Sequence, residues 1–395
     1  MATYICPYCF SKKKMTDVLF RCGNIKCPAE QDKKIAFYET GNENSARLLG
    51  KVIEPSSKGF FSMPTDTVCP ACHEKSYKRI CPQCHNELPR EIDQHKGIII
   101  SVIGAKNTGK SHFIAVLIDQ MRRYVSSSFN ASFSPINTEH EKRYKNDFYS
   151  PLFASHRLLN STVSGSTAQR PLIYTLTISD KSLFKRNNTI IYITFFDTAG
   201  EDLSHENTMS TVNKYIGQSS GIIFLLDPMQ IQDVRDKTDP AVVNASSGTD
   251  IKDLADPADI LRRVCNLIRD ANNLGDSEMI PIPIAATFTK VDALKPLLPP
   301  GCIVLEESPH RLLHVFDQTN SDNIHAEIES MLSDWSGWDF PQQLSINFKK
   351  YAYFGLSALG KTPKGQSIDV IRPHRIEDPL LWLLSYHNII PKGKK

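Results

Sequence analysis

Residues 98–113 of this 395-residue chain read IIISVIGAKNTGKSHF. An apolar, β-branched run leads into Gly104-x₄-Gly109-Lys110-Ser111, and an amphipathic run follows, so the loop is expected to join a buried strand to a helix. Glycines let backbone N–H groups close around a phosphate, and the helix N-terminus adds its positive dipole. This order of strand, loop and helix predicts a phosphate-binding loop.

The loop is expected to hold a nucleoside triphosphate through both side chains and backbone. The Lys110 amine can reach the β- and γ-phosphates, and the Ser111 hydroxyl can bind Mg²⁺. The residues assigned to phosphate binding are Gly104, Ala105, Lys106, Asn107, Thr108, Gly109, Lys110, Ser111 and His112.

A second apolar strand is expected to end in an acidic residue. The segment IIYITFFDTAGEDL, residues 190–203, brings Asp197 to the carboxyl end of the strand, where Mg²⁺ would lie. Gly200 can offer its backbone N–H to the γ-phosphate. A generic Walker B motif explains the aspartate but not the complete Asp-Thr-Ala-Gly sequence. The four residues together predict a γ-phosphate sensor that rearranges on hydrolysis.

A third segment distinguishes guanine from adenine. Residues 281–294, PIPIAATFTKVDAL, carry Thr289 and Lys290, and then Asp292, after an apolar strand. The Asp292 carboxylate can accept hydrogen bonds from both N1–H and the exocyclic amine of guanine, whereas adenine offers no such donor pair. The aliphatic stem of Lys290 would pack along the base.

A fourth segment is expected to complete the base pocket. The sequence YFGLSALG, residues 353–360, follows another apolar strand. A backbone N–H of Ser357 or Ala358 can bind the guanine O6, and Leu359 is included among the nucleotide-binding residues. The four segments therefore predict one site assembled from distant parts of the chain.

Closely spaced cysteine pairs precede the phosphate-binding loop. Residues 69–84, CPACHEKSYKRICPQC, have the Cys-x₂-Cys-x₈-Cys-x₂-Cys spacing of a zinc ribbon, because Zn²⁺ prefers four thiolates in a tetrahedron. CPYC and CGNIKC, at residues 6–9 and 22–27, supply a second set with one looser pair. The predicted ligands of two Zn²⁺ ions are Cys6, Cys9, Cys22, Cys27, Cys69, Cys72, Cys81 and Cys84.

The pairing of these ligands is open at the level of sequence. The simplest arrangement is sequential, with Cys6/Cys9/Cys22/Cys27 in one site and Cys69/Cys72/Cys81/Cys84 in the other. An interleaved arrangement is the alternative, and disulfides are a third interpretation. The histidines that follow ligand cysteines, His73 and His85, are interpreted as bystanders. Cys265 and Cys302 are interpreted as buried apolar residues.

The pattern of apolar runs predicts an α/β fold. We expect a mostly parallel sheet with helices on both faces, an arrangement that resembles the P-loop GTPase type, preceded by a small double zinc-ribbon module. We expect the module to cover residues 1–92 and the nucleotide-binding domain to cover 97–395, with insertions near 130–170 and 229–256. The predicted strands are 97–103, 171–178, 189–196, 221–227, 281–288 and 350–356, and the predicted helices are 110–125, 256–274, 322–335 and 378–386.

Composition narrows the function classes. The net charge of the chain is +3, and residues 1–96 contain 15 Lys/Arg against 11 Asp/Glu. This excess of positive charge is too small to indicate a nucleic-acid-binding surface. The chain has no apolar run of the ~18–20 residues that span a bilayer, and the start MATYICPYCF does not resemble a signal peptide. Cysteines in metal-site spacing then indicate a reducing compartment, and we expect a cytoplasmic protein.

The four nucleotide-site segments, in this order, resemble the translation-factor and Ras-like class of GTPases over roughly residues 97–395. The whole chain, with cysteine ribbons ahead of that region, resembles the bacterial double-GTPase family. This resemblance implies GTP or GDP with Mg²⁺ as ligands, a C-terminal helix in PHRIEDPLLWLL, and a role in bacterial conflict systems beside a second GTPase. The residues that match the family roles are Lys110, Ser111, Asp197, Gly200, Lys290, Asp292 and Ala358.

Two positions bear on catalysis. Ras-like proteins often have Gln after Asp-x-x-Gly to orient water, but this chain has Glu201, whose carboxylate would repel the γ-phosphate at short range. We therefore expect slow intrinsic hydrolysis and a stimulating partner. Thr167 is the first choice for the threonine that binds Mg²⁺ before the second strand, and Thr162 and Ser166 are its rivals.

Two further residues have competing interpretations. Asn107 stands where some GTPases use an asparagine to bind K⁺ at the transition state, often across a dimer; the alternative is an asparagine tolerated for its backbone flexibility. His205 lies near the sensor loop and is either recruited to catalysis or an exposed surface residue.

Three function classes follow from these motifs. The first is a GTP-hydrolysing switch whose partner is a second GTPase, an effector or another copy of the chain. The second is a non-hydrolysing, GTP-dependent scaffold. The third is a P-loop ATPase acting on nucleic acid through the ribbons, against which Asp292 argues.

Overall fold

The computed structural model of the protein describes residues 3–46, 48–55, 63–90, 92–93, 96–159, 170–179, 188–197, 214–247, 256–336, 339–363 and 365–393. These residues form a small cysteine-bearing region and an α/β region built on a seven-stranded sheet. The predicted fold class is confirmed.

Short antiparallel strands build the N-terminal region, which we call the zinc module. Strand β3 pairs with both β6 and β9. The Asp32 side chain caps helix α1 by accepting hydrogen bonds from the first-turn N–H groups of Lys34 and Ile35. The elements are β1 (Thr3–Ile5), β2 (Lys12–Lys14), β3 (Leu19–Arg21), β4 (Ala29–Gln31), α1 (Lys33–Thr40), β5 (Leu48–Gly50), β6 (Val52–Ile53), β7 (Thr67–Val68), β8 (Lys75–Ser76) and β9 (Lys78–Ile80).

The large sheet places the phosphate-binding loop at its centre. Its strands are β10 (Lys96–Gly104), β11 (Ala131–Pro135), β12 (Leu172–Ser179), β13 (Asn188–Asp197), β14 (Gly221–Leu226), β15 (Ile284–Phe288) and β16 (Tyr351–Gly355), in the order β11-β12-β13-β10-β14-β15-β16. The five strands from β13 to β16 in that order run parallel, whereas β11 and β12 are antiparallel to their neighbours. The carboxyl ends of the parallel strands therefore meet at one edge, where ligands bind in open α/β sheets.

Helices cover both faces of the sheet. The remaining helices are α2 (Lys110–Gln120), continued by a π-helical turn (Met121–Val125) and Ser126–Ser128; α3 (Thr138–Arg143), continued by a π-helix (Tyr144–Ala154); α4 (Gln232–Lys237), α5 (Pro240–Ser247), α6 (Pro257–Asn272), α7 (Val291–Leu294), α8 (His310–Leu313), α9 (Gln318–Ser336), α10 (Asp339–Asn347) and α11 (Asp378–Tyr386).

Each face of the sheet has its own apolar core. On one face, Leu261 and Val264 of α6 pack with side chains from α9 and α10. On the other, Phe113 of α2 and Trp382 of α11 belong to the same core. Each fully buried side chain of this size contributes about 1.5–3 kcal/mol relative to exposure. These two cores hold the strand ends that form the candidate site in a fixed arrangement.

The six predicted strands and four predicted helices all occur, with boundaries shifted by a few residues. The polar stretch from residue 130 contains more structure than its composition indicates: β11 extends the sheet, and α3 packs beside it. The reason is a small number of aromatic anchors, since Phe133 stacks on Tyr174 with ring centroids 4.6 Å apart. The second stretch holds α4 and α5 in its described part.

Within the described parts of the chain, we find no helix with both the length and the apolar character that a bilayer span needs.

Candidate nucleotide and zinc sites

The loop between β10 and α2 has the backbone geometry of a tight anion-binding turn. Asn107 and Gly109 have left-handed φ angles of 65° and 87°. A Cβ on Gly104 would lie 2.7 Å from the Leu225 carbonyl oxygen, so a side chain there would displace the neighbouring strand. The Thr108 hydroxyl donates to the Ala105 carbonyl oxygen at 2.9 Å and closes the turn. Glycine is therefore required at the start of the loop, and residues that tolerate positive φ are required within it.

Lys110 lies inside this loop. Its amine is buried and donates to the carbonyl oxygens of Gly104 at 3.0 Å and Ala105 at 2.7 Å. Ser111 follows at the first turn of α2 and is half-buried. An ammonium group held among carbonyl oxygens at a helix N-terminus can transfer its hydrogen bonds to phosphate oxygens.

His112 connects the loop to a distant part of the chain. Its Nε2 accepts a hydrogen bond from the Leu159 N–H at 3.1 Å. Burial, with a smaller contribution from the positive charge of Lys290, lowers the pKa of His112 to about 4. The neutral ring that this acceptor role needs is therefore the form present at neutral pH.

Asp197 ends strand β13 beside the phosphate-binding loop. In the parallel register of β10 and β13, its Cα is opposite that of Val102, two residues before Gly104. The backbone thus brings the predicted Mg²⁺-binding aspartate to the start of the loop, as the sequence motif requires.

Lys290 joins the third predicted segment to the loop. Its backbone is left-handed, with φ of 55°, and its amine donates to the carbonyl oxygen of Asn107 at 3.1 Å. The same amine forms an ion pair with Asp227, which is 2% exposed and directly follows β14. Lys290 and Asn107, which are 183 positions apart in sequence, are therefore in direct contact at the carboxyl edge of the sheet.

Asp292, two residues after Lys290, contacts Ser357 of the fourth predicted segment. The Ser357 hydroxyl donates to the Asp292 carboxylate at 2.5 Å and accepts from the Gly360 N–H at 2.8 Å. Asp292 is half-buried, so its carboxylate is partly accessible. A carboxylate oriented in this way can accept paired N–H donors of a base.

The chain after Ser357 fixes that residue in place. Ser357 and His374 exchange two backbone hydrogen bonds, at 3.0 Å and 2.8 Å. The buried Arg375 bonds the carboxylate of Asp378 at 2.8 Å and the carbonyl oxygen of Glu306 at 2.7 Å. Because this arginine ties residues 375–378 to Glu306, the segment that pairs with Ser357 is anchored to a second part of the chain.

Two groups of four cysteines have the geometry of zinc sites. Within each group all sulfur atoms lie within 4.8 Å of one another, and the cross-pair contacts are 3.7–3.8 Å. A tetrahedron with Zn–S bonds of 2.3 Å has sulfurs about 3.8 Å apart, so both groups fit the ion. The groups are Cys6, Cys9, Cys81 and Cys84, and Cys22, Cys27, Cys69 and Cys72.

The sequential arrangement of the zinc ligands is wrong: the cysteine pairs are nested, which is neither the sequential order nor a strict alternation of pairs. Strand β3 pairs antiparallel with β9, so Leu19 lies opposite Ile80 and Arg21 opposite Lys78. This antiparallel pairing places the cysteine pair before β3 beside the pair after β9, and the pair after β3 beside the pair before β9. As a result, the first and last cysteine pairs share one site and the two middle pairs share the other.

Neither histidine beside the ligands belongs to a four-cysteine group. His73 is exposed. His85 is buried, and its Nδ1 contacts the Asp32 carboxylate at 2.9 Å. The separate cysteines are buried as predicted, and burial raises the pKa of both Cys265 and Cys302 to about 11.

Some predicted site residues lie outside the described parts of the chain. These are the proposed Mg²⁺-binding Thr167 with its rivals Thr162 and Ser166, and the sensor residues Gly200 and Glu201 with the neighbouring His205.

Sequence reasoning missed two residues of the site. From the sequence, Asp227 is predicted only as the last residue of the strand 221–227. An aspartate at the end of an apolar strand that neighbours β10 could have indicated a residue of the nucleotide site. His374 gives no local signal, because its contact with Ser357 is made by backbone atoms.

Comparison with known proteins gives one family match. Residues 98–368 match the sequence model of the family described as Double-GTPase 2. A relative from Mycolicibacterium smegmatis, described as a putative ESX-1 scaffolding and assembly protein, SaeC, is 24% identical over 349 residues, which cover 83% of this chain and 81% of the relative.

Similar solved structures include GTPases with low sequence identity. Era from Aquifex aeolicus bound to GDP and AlF₄⁻ has a TM-score of 0.30 and 12% identity, covering 76% of this chain and 58% of Era. The GTPase-like domain of Ski7 from S. cerevisiae bound to GTP has a TM-score of 0.32 and 14% identity, covering 74% of this chain and 51% of that one.

Proposed function

Since this chain belongs to the Double-GTPase 2 family, we propose that it binds GTP and GDP with Mg²⁺ and hydrolyses GTP slowly as a molecular switch. The family and the fold support guanine-nucleotide binding. The observation that carries the proposal is the contact of Lys290 with the Asn107 carbonyl oxygen, because it puts the predicted base-reading segment next to the predicted phosphate-binding loop.

Each part of the site has a proposed role. The backbone of residues 104–109 and the Lys110 amine bind the β- and γ-phosphates. Ser111, Asp197 and Thr167 bind Mg²⁺, which neutralises charge that develops on the phosphates during transfer. Gly200 senses the γ-phosphate, and Asn107 stands at the position where K⁺ would bind.

The base end of the pocket selects guanine. Asp292 accepts from the two adjacent N–H donors of guanine, while its hydrogen bond from Ser357 holds the carboxylate in place. The stem of Lys290 lies against the base, and the backbone of Thr289, Ala358 and Leu359 completes the walls. An adenine in this pocket would leave the carboxylate without matching donors, which costs about 1–3 kcal/mol.

Hydrolysis is expected to be slow because Glu201 stands where related enzymes use glutamine. Its negative charge disfavours a γ-phosphate at short range, so a partner or a second copy would be needed to accelerate the reaction. Phosphate release from GTP and ATP by the purified, zinc-loaded chain tests this point. Turnover of GTP near ~10 s⁻¹ without a partner, far above the intrinsic rates of related GTPases, would contradict it.

A second candidate function is a GTP-dependent scaffold that does not hydrolyse the nucleotide. The observation that favours it is the scaffolding and assembly role in the description of the M. smegmatis relative. Both candidates imply protein partners, among them a second GTPase of a bacterial conflict system, and both suit a cytoplasmic setting in which thiols stay reduced for zinc. Tight GTP binding with no phosphate release over hours would favour the scaffold.

A further inference from the structure

The zinc module and the nucleotide-binding region share an apolar contact. Phe10 follows Cys9 in the first zinc knuckle, yet its side chain belongs to the core on one face of the large sheet. It is 1% exposed, and its ring lies 4.9 Å from that of Tyr215, centroid to centroid. An aromatic pair at this distance contributes beyond the area that it buries.

Tyr215 in turn bonds the strand that leads into the phosphate-binding loop. Its hydroxyl donates to the carbonyl oxygen of Ile100, in β10, at 2.5 Å. Its own carbonyl oxygen accepts from the Ser219 hydroxyl at 2.8 Å. The same Ser219 hydroxyl also contacts the hydroxyl of Ser101 in β10. The ring against which Phe10 packs is therefore fixed to β10 at Ile100, four residues before the loop begins at Gly104.

The zinc module makes a second contact on the other side of β10. Ile173 of β12 is buried within the cysteine-rich core of the module. Tyr8 approaches His140, which accepts from the Ile173 N–H, and Arg170 donates to the Glu39 carbonyl oxygen at 3.2 Å. Contacts at two separate places fix the orientation of the module relative to the sheet.

The position of Phe10 depends on the metal site. Its N–H donates to the Cys6 carbonyl oxygen at 2.9 Å, and its backbone has a left-handed φ of 56°. Such a conformation is costly for an aromatic residue and persists only where its surroundings enforce it. Coordination of Cys6 and Cys9 by one ion would supply that constraint.

We propose that Phe10 is a positioning residue for nucleotide binding, acting through Tyr215 on β10, so that zinc at the Cys6/Cys9/Cys81/Cys84 site and nucleotide at the loop bind cooperatively. This inference rests on the proposed function. Because coupling between two sites is reciprocal, bound nucleotide must also tighten zinc binding at that site, and we expect this gain in affinity to appear as slower zinc release.

The chain contains a matched control for Phe10. His73 follows Cys72 in the same knuckle position, with φ of 57° and an N–H bonded to the Cys69 carbonyl oxygen at 2.8 Å. Its side chain is exposed. A change of His73 to Ala therefore alters the same backbone geometry without touching the sheet.

The first experiment measures GDP affinity and zinc content of the full chain. Phe10→Ala should retain two zinc ions and bind GDP about three- to tenfold more weakly, Phe10→Leu should recover most of that loss, and His73→Ala should match the wild type. Wild-type affinity in a Phe10→Ala protein with two zinc ions overturns the proposal. Absence of GDP and GTP binding by the wild type overturns the proposed function as well, which separates the two failures.

The second experiment needs no variant that must fold. Zinc release from the wild type to a chromogenic chelator is followed with and without GDP and Mg²⁺. GDP should slow the release of one of the two ions at least threefold and leave the other unchanged. Equal release of both ions in the presence and absence of GDP, in protein that binds GDP, contradicts the coupling.

Discussion

The amine of Lys290 donates to the backbone carbonyl oxygen of Asn107 at 3.1 Å and forms an ion pair with the buried Asp227. This contact joins the carboxyl ends of β10, β14 and β15 at one point. Asp227 restricts the lysine to the orientation in which its stem can line a base pocket. The negative charge is buried and paired, so its removal leaves the lysine without that restraint.

Asp227→Asn is therefore expected to weaken GDP binding about fivefold, which is about 1 kcal/mol. Titration of a fluorescent GDP analogue measures the effect. Asp233→Asn is the control, since Asp233 pairs with Lys237 at 2.7 Å on an exposed helix surface. Equal GDP affinities of Asp227→Asn and Asp233→Asn would show that Asp227 does not contribute to nucleotide binding.

The backbone at Asn107 favours the interpretation in which the residue is selected for its conformation. With φ of 65°, the position favours Gly or Asn, and a residue with a Cβ and no compensating side chain is strained there by about 1–2 kcal/mol. We expect Asn107→Gly to keep GDP affinity and Asn107→Ala to lower it up to tenfold. If the asparagine instead binds K⁺, the wild type will hydrolyse GTP faster in KCl than in NaCl, and Asn107→Gly will lose that difference.

The assignment of the cysteines to two sites predicts how many zinc ions each double cysteine variant retains. Cys6 and Cys81 share a site, so Cys6→Ser/Cys81→Ser should retain one zinc per chain. Cys6 and Cys22 lie in different sites, so Cys6→Ser/Cys22→Ser should retain none. Zinc content by elemental analysis decides the point, and the reverse result would indicate the sequential arrangement.

Stability is expected to fall in mild acid because His140 is neutral in the folded protein. Burial, with smaller contributions from Arg143 and Arg170, lowers its pKa from 6.5 to about 4. The unfolded chain therefore binds the additional proton between pH 6.5 and pH 4, and the free energy of unfolding decreases as the pH falls through that window, by up to about 3 kcal/mol.

Urea unfolding at pH 7 and pH 4.5 measures this dependence. His140→Gln keeps an acceptor for the Ile173 N–H but removes the titration, so its midpoint should change less with pH than that of the wild type. His156→Gln, at an exposed position, should behave as the wild type does. An unchanged pH dependence in His140→Gln would exclude this histidine as a cause.

Local pattern was sufficient for the parts of the fold that depend on contiguous residues. The apolar run before Gly104 predicted β10, and the Thr289–Asp292 segment was predicted at a strand end, where it lies. Zinc pairing could not be predicted, because it depends on which strand β3 joins. The contact of Phe10 with Tyr215 was equally hidden, since its partner is remote in sequence and the knuckle motif accepts many residues at that position.

The central claim is that Asp292 reads the base of a nucleotide whose phosphates bind at Lys110. Xanthine replaces the exocyclic amine of guanine with a carbonyl oxygen, which repels a carboxylate but accepts from an amide N–H. The competition of GTP and XTP for wild-type and Asp292→Asn protein is the most direct test. We predict that the wild type prefers GTP and that the variant loses at least tenfold in GTP affinity, about 1.4 kcal/mol, while gaining affinity for XTP. An Asp292→Asn protein with unchanged GTP and XTP affinities would contradict the claim.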